Sequence, residues 1–297
     1  MASDTARTDV ELPGHVVDAD WLAGRLGHPG LVVLEASVDL DSTTGEAVSL
    51  RADFDAGRVP GAVFVDMIAE LSDADADARM AHLGRMFMLP DPAVFADVLG
   101  RAGVDEDVTV VVYTRASPMW AARLWWMLRH FGHDRVAVLD GGLDAWRAQG
   151  HPVDATSGAP APRRFTPRPR RELLATSDDV LACTSGGGVV VNALRPELFR
   201  GEEAGRRPRP GRIPGSVNVP FLDVYDTSGR MRSADALRSL FAAVGALDAP
   251  RVVTYCGGGI AACSDALALA TLGVDAAVYD GSLNEWASDP DLPLETG

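Results

Sequence analysis

This 297-residue sequence predicts an α/β fold built twice, each copy a mainly parallel central sheet flanked by helices. Three observations carry that prediction. Short apolar, β-branched runs alternate with helical stretches, the pattern of parallel strands joined by covering helices. Blocks of sequence recur in the same order in the two halves. One strand-to-helix junction holds a cysteine followed at once by three glycines.

The repeat is read from three pairs of segments. Arg58-Val59-Pro60-Gly61-Ala62-Val63 returns as Arg212-Ile213-Pro214-Gly215-Ser216-Val217. The run ending in Tyr113 returns as the run ending in Tyr255, and Asp140-Gly141 with Trp146 returns as Asp280-Gly281 with Trp286. The period is too long for a solenoid, so one domain is used twice. In the first copy, strands are expected at 31–34, 62–65, 108–113 and 136–139. Trp, Leu, Met and Phe at helical spacing predict a buried helix over 120–131. In the second copy, strands are expected at 189–191, 216–219, 252–255 and 276–279, with an Ala/Leu-rich helix over 260–272. Pro, Gly and Arg crowd residues 155–171, which reads as the linker between an N-terminal domain (1–154) and a C-terminal domain (172–297). Its arginines could instead lie along an acidic domain surface.

Composition sets outer limits. Hydrophobic residues make up 47% of the chain, enough for two cores. The formal net charge of −15 opposes binding to nucleic acid and to anionic membranes. Three cysteines, Cys183, Cys256 and Cys263, are too few for a disulfide framework and fit a reducing compartment. The start has no apolar leader pattern and no run reaches membrane-spanning length, so a soluble, cytoplasmic protein is expected. The acidic run Asp73–Asp77 reads as a solvated loop, with no metal assigned.

Cys256 is the focal residue. It follows the strand Val252–Tyr255 and precedes Gly257-Gly258-Gly259-Ile260-Ala261 and a helix. Sites in parallel sheets form beyond the carboxyl ends of strands. Backbone N–H groups of a glycine-rich turn can converge on one atom, and a helix N-terminus adds partial positive charge. Such a setting favours a reactive thiolate and could cradle an anionic sulfur. The plainer alternative is a small buried residue in a nucleotide-type turn, yet neither phosphate-binding motif has this spacing.

With those markers in order and duplicated, the chain resembles the tandem-domain rhodaneses, the thiosulfate and 3-mercaptopyruvate sulfurtransferases, from about Val17 to Leu294. The resemblance implies two rhodanese-like domains and a persulfide on Cys256, cradled by Gly257, Gly258, Gly259, Ile260 and Ala261. It implies a small anionic sulfur donor, a thiol, thioredoxin or cyanide acceptor, and no metal or organic cofactor. The neutral loop is similar to that of mercaptopyruvate enzymes, although Gly258 and Ala261 stand where those carry Ser and Thr. The family's first-domain His is Arg58 here, and its Asp-Ala-Arg is Asn192-Ala193-Leu194 with Arg195 displaced by one. Arg200 before Gly201 is the match to a carboxylate-binding arginine, so Arg200 and Arg195 are the substrate-binding candidates. Ion pairs with Glu197, Glu202 or Glu203 are the competing role for both.

In the first copy Thr114-Arg115-Ala116-Ser117-Pro118 follows the strand, with neither cysteine nor glycines. That half is expected to be catalytically silent and to supply one wall of an interdomain cleft, with Ser117 as a helix N-cap. Cys263 and Cys183 read as packed residues, with a resolving role for Cys263 as the alternative. Trp146 and Trp286 read as core anchors, and Arg58 and Arg212 as structural ion-pair formers. Two other function classes fit less well. A cysteine phosphatase of related fold wants a phosphate-gripping Arg, absent between Cys256 and Leu272. The other is a noncatalytic sulfur-carrier or regulatory module, and the intact Cys256 loop speaks against a purely structural role.

Overall fold

A computed structural model describes residues 9–41, 43–73, 87–156, 158, 160–205 and 207–297. The acidic run beyond Asp73 lies outside them. The first half contains the strands β1 (Val16–Val17), β2 (Leu31–Glu35), β3 (Val38–Leu40), β4 (Ala47–Ser49), β5 (Val63–Phe64), β6 (Thr109–Tyr113) and β7 (Val136–Leu139). Its helices are α1 (Ala19–Ala23), α2 (Arg51–Ala56), α3 (Pro92–Arg101), α4 (Met119–His130) and α5 (Gly142–Ala148). The second half contains β8 (Leu174–Ala175), β9 (Val189–Asn192), β10 (Val217–Asn218), β11 (Val252–Tyr255) and β12 (Ala277–Tyr279). Its helices are α6 (Ser177–Ser185), α7 (Pro196–Phe199), α8 (Ala234–Ala243), α9 (Ala262–Thr271) and α10 (Ser282–Ser288).

Each half builds one five-stranded parallel sheet. The orders are β1-β7-β6-β2-β5 and β8-β12-β11-β9-β10, the same topology traced twice. The central strands β6 and β11 are buried along their whole length, which is why they read as unbroken apolar runs. Strands β3 and β4 add an antiparallel hairpin to the first half.

The paired sequence markers make paired contacts. Tyr113 Oη accepts from the Val59 N–H and Tyr255 Oη from the Ile213 N–H, each at 3.2 Å. Trp146 and Trp286 are fully buried and donate Nε1–H to Pro152 O and Pro293 O, each at 2.7 Å. These are the expected core anchors, each with its one polar atom satisfied. Arg212 pairs with Glu295 at 2.7 Å, while Arg58 lies over the Phe54 ring.

One apolar cluster runs through both halves and includes α4 and α9, which pack against each other. Each half also has its own smaller cluster on the outer face of its sheet. Two hydrogen bonds from a backbone N–H to a carboxylate cross between the halves in related positions. The Leu89 N–H donates to Asp280 Oδ2 at 2.8 Å, and the Met231 N–H to Asp140 Oδ1 at 2.7 Å. The segment expected to be solvated is docked on the first half: Phe165 is buried, Arg163 pairs with Asp105 at 3.1 Å, and Arg170 pairs with Asp134.

Candidate active site

Cys256 sits one residue beyond β11, the middle strand of its sheet, and is 3% exposed. Its peptide unit is held on both sides. The Cys256 N–H donates to Ser282 Oγ at 3.1 Å, and Ser282 Oγ–H donates to Tyr279 O at 2.7 Å. The Cys256 carbonyl accepts from the Leu283 N–H at 3.1 Å, and that of Gly257 from the Asn284 N–H at 2.8 Å. The corner between β12 and α10 therefore fixes the start of the cysteine loop.

The loop then turns through Gly259, whose φ is +79°. A β-carbon there would meet the Asp280 carbonyl, so both conformation and space call for glycine. Among the described residues, the N–H groups of Gly257, Gly258, Gly259, Ile260 and Ala261 donate to no protein acceptor. They are adjacent donors directly after the cysteine and at the entry to α9, an arrangement suited to an anion.

A residue from the other half braces this loop from behind. Arg123 on α4 is 1% exposed and forms an ion pair with Asp280 at 2.6 Å. Its guanidinium also donates to Phe87 O at 2.7 Å and reaches Gly259 O at 3.4 Å. Cys263 Sγ shares the Gly259 carbonyl at 3.2 Å. Burial pushes the Cys263 thiol up to about 12, with Arg123 pulling the other way. A thiol so held is a packed group rather than a nucleophile. Cys183 is also buried, with Sγ against Val189 O and Arg251 O.

Above Cys256 opens a cleft of ≈ 520 Å³, walled by both halves. Leu40, Phe87, Ser117 and Met119 come from the first half; Leu194, Arg195, Leu198, Arg207, Phe221 and Asn284 come from the second. Asn218 Nδ2–H donates to Asn192 O and Leu194 O, each at 2.9 Å, and so positions the segment carrying Leu194 and Arg195. Among the described residues, no group of three or more His, Cys, Asp or Glu side chains is placed to hold a metal.

The structure divides the two arginine candidates. Arg195 lines the cleft, exposed and paired with Glu203 at 2.9 Å. Arg200 does not line it. Arg200 caps the carboxyl end of α7, with its exposed side chain on Glu202 at 2.6 Å and Glu197 at 3.9 Å. The four-residue α7 places Leu198 in the cleft lining and leaves Arg200 exposed on its glutamates, the competing role that the sequence offered for it. Arg207 was not singled out, since its arginine- and proline-rich surroundings have no periodicity. Its Nη1 lies 3.6 Å from where a Gly257 β-carbon would stand. Arg123 was also passed over, although a charge in the middle of an apolar helix is a readable signal.

In the first copy the matching turn is filled. Thr114 stands where Cys256 stands in the second. Arg115 folds back onto the fully buried Glu35 at 2.5 Å and donates to Asp53 O and Gly57 O, each at 2.8 Å. Ser117 is not a side-chain cap: Pro118 takes the N-cap position of α4 and Ser117 faces the cleft.

Comparison with known proteins agrees with this geometry. The family model described as "Rhodanese-like domain" matches residues 18–149 and 199–289. The thiosulfate sulfurtransferase of Gallus gallus is 37% identical over 280 residues, covering 91% of this chain and 92% of that protein. The 3-mercaptopyruvate sulfurtransferase of Escherichia coli is 32% identical over 283 residues, covering 94% of this chain and 97% of that protein. The crystal structure of SseA from Escherichia coli superposes with a TM-score of 0.78 at 32% identity, covering 91% of this chain and 98% of that one.

Proposed function

This chain belongs to the rhodanese-like family, and from that premise we propose that it is a sulfurtransferase working through a Cys256 persulfide. The observation that carries the reading is the placement of Cys256: at the end of the central strand, at the floor of a cleft, followed by five N–H groups with no protein acceptor among the described residues. The Cys256 thiolate attacks the outer sulfur of the donor. With thiosulfate the S–S bond breaks and its electron pair leaves on sulfite; with 3-mercaptopyruvate the C–S bond breaks, the carbon keeps the electron pair and takes up the thiol proton, and pyruvate is released. The persulfide left on Cys256 is anionic, and the N–H groups of Gly257 to Ala261 stabilise it. A thiol, thioredoxin or cyanide then takes the outer sulfur and regenerates the thiolate. This is covalent catalysis in two steps, with ping-pong kinetics.

The first half, residues 1–154, is catalytically silent in this reading and contributes a cleft wall and Arg123. Cys256→Ser tests the proposal, because a serine hydroxyl is not ionised at neutral pH and holds no persulfide. The variant should fold, lose turnover with both thiosulfate and 3-mercaptopyruvate, and never show the reducible gain of about 32 Da that a persulfide adds to the wild type. Turnover above background in Cys256→Ser would remove Cys256 from the mechanism.

A further inference from the structure

The duplication repeats the cleft as well as the sheet. A second cavity, of ≈ 480 Å³, opens at the position in the first half that the cysteine cleft holds in the second. Thr114, Ala116 and Pro118 of the matching turn line it, together with the corner from β7 into α5 and residues of the second-half segment 225–231. The turn itself offers no anion cradle. The Arg115 N–H donates to Ser37 Oγ and the Ala116 N–H to Thr114 Oγ1, each at 3.0 Å, and the Arg115 guanidinium is bound to Glu35.

The other charges of the lining are of both signs and out of contact. Arg230 crosses from the second half to lie over Gly141, its Nε 3.6 Å from where a β-carbon would stand. Asp144 is exposed on the first turn of α5, and Asp140 accepts from the Met231 N–H through Oδ1. Asp140 and Asp226 both feel the charge of Arg230. Yet among the described residues, neither the Arg230 guanidinium nor the Asp144 carboxylate makes an ion pair or a hydrogen bond, and Asp140 makes no ion pair. Tyr225, 6% exposed, also lines the cavity. Its Oη and the neighbouring Ser264 Oγ are buried without a hydrogen bond of normal geometry among the described residues. Val16, Val138, Leu139, Ala145 and Leu267 supply apolar wall.

Free charges of both signs beside an apolar wall match a molecule that carries both charges close together on an apolar body. We propose that this second cavity binds a small zwitterion of the α-amino acid class with an apolar side chain. Arg230 takes the carboxylate, for which its planar fork is suited. Asp144 and Oδ2 of Asp140 take the ammonium, and Val138, Leu139 and Leu267 cover the side chain. A simple cation leaves Arg230 unmatched, and a simple anion faces two carboxylates. Binding here is independent of the chemistry at Cys256 and makes or breaks no covalent bond. The cavity also touches Pro118 and Ala121 beside and on α4, the helix whose Arg123 braces the cysteine loop, and Leu267 on α9. A ligand held by the folded chain alone raises its stability.

The test is isothermal titration calorimetry of the full chain with five probes. L-phenylalanine and L-leucine carry both charges and an apolar body; 3-phenylpropionate lacks the ammonium, phenethylamine lacks the carboxylate, and glycine lacks the apolar body. The two amino acids should bind, raising the thermal midpoint, and each of the other three should bind at least about tenfold more weakly. Asp144→Asn should weaken L-phenylalanine several-fold and leave 3-phenylpropionate unchanged. Arg230→Gln should weaken L-phenylalanine and leave phenethylamine unchanged. Both side chains are at least partly exposed and outside the cysteine cleft, so both variants should keep the wild-type denaturation midpoint and rate of sulfur transfer. Phenethylamine binding as tightly as L-phenylalanine, with Arg230→Gln silent, would make the cavity a cation site and overturn the zwitterion assignment. No heat from L-phenylalanine or L-leucine at about 10 mM, or binding indifferent to both substitutions, overturns the site itself.

Discussion

Ser282 and Leu283 hold the peptide unit of Cys256, so the cysteine's position is set by neighbours 26 and 27 residues away in the chain. The cation beside the cysteine loop is set in the same way. Arg207 reaches the loop from a segment without regular structure, whereas Arg200 ends α7 among its own glutamates. Losing a hydrogen bond to a charged group costs on the order of 1.5–3 kcal/mol, or roughly ten- to a hundredfold in kcat/KM. Arg207→Ala should therefore lower kcat/KM by that factor for an anionic donor. Arg200→Ala should change it by less than about twofold, because an exposed ion pair contributes little. Side-by-side kinetics of the two variants decide the matter, and equal losses would show that Arg200 also reaches the substrate.

Strand β11, the cysteine loop and α9 form one unit whose shape depends on Gly259. Alanine there would occupy a left-handed conformation and press on the Asp280 carbonyl. Gly259→Ala should cost on the order of 1–3 kcal/mol, read as a lower denaturation midpoint. Gly257→Ala, with its nearest contact at 3.6 Å, should leave the midpoint nearly unchanged and narrow the cleft. Helix α4 joins this unit through Arg123. Removing one partner of the buried Arg123–Asp280 pair strands the other charge, at roughly 3–5 kcal/mol. Arg123→Met should thus be strongly destabilising. Combining it with Asp280→Asn should recover part of that loss, a coupling that a double-mutant cycle measures directly. Additive losses would mean the pair does not act as one.

At the scale of the whole molecule, the shared cluster and the matched Leu89–Asp280 and Met231–Asp140 bonds make the two halves one packed body. The docked segment around Phe165 covers His133, which burial holds down at about 4. Its unfolded value is near the ordinary 6.5 of a histidine, so below that pH the unfolded chain binds a proton that the folded one does not. Stability is complete above about pH 6.5 and falls as the pH drops toward 4, by up to roughly 3 kcal/mol from this group. His15 and His130 shift in the same direction, first through burial. Asp265 opposes them: burial, then Asp223, raises its carboxyl, so its contribution grows as the pH falls. Comparing wild type with His133→Leu cancels the groups common to both. The stability difference should move in favour of the leucine variant between pH 7.5 and pH 4 in chemical denaturation; a difference independent of pH would place a charged His133 in the folded state.

Local pattern was enough for the central strands, for α4 and α9 and for the duplication, because β-branching, periodicity and repeated order are written into neighbouring residues. The two-residue edge strands β1 and β8 escaped notice, being too short to show any period. The cysteine loop was legible for the same reason as the strands: the thiol, the glycines and the following helix are contiguous. The cleft was not. Leu194 facing inward, Arg200 facing out, Arg207 arriving at the loop and Arg123 crossing from the other half all depend on which distant segments meet. That is decided by the packing of α4 against α9 and of two sheets around one core, where sequence spacing no longer measures distance.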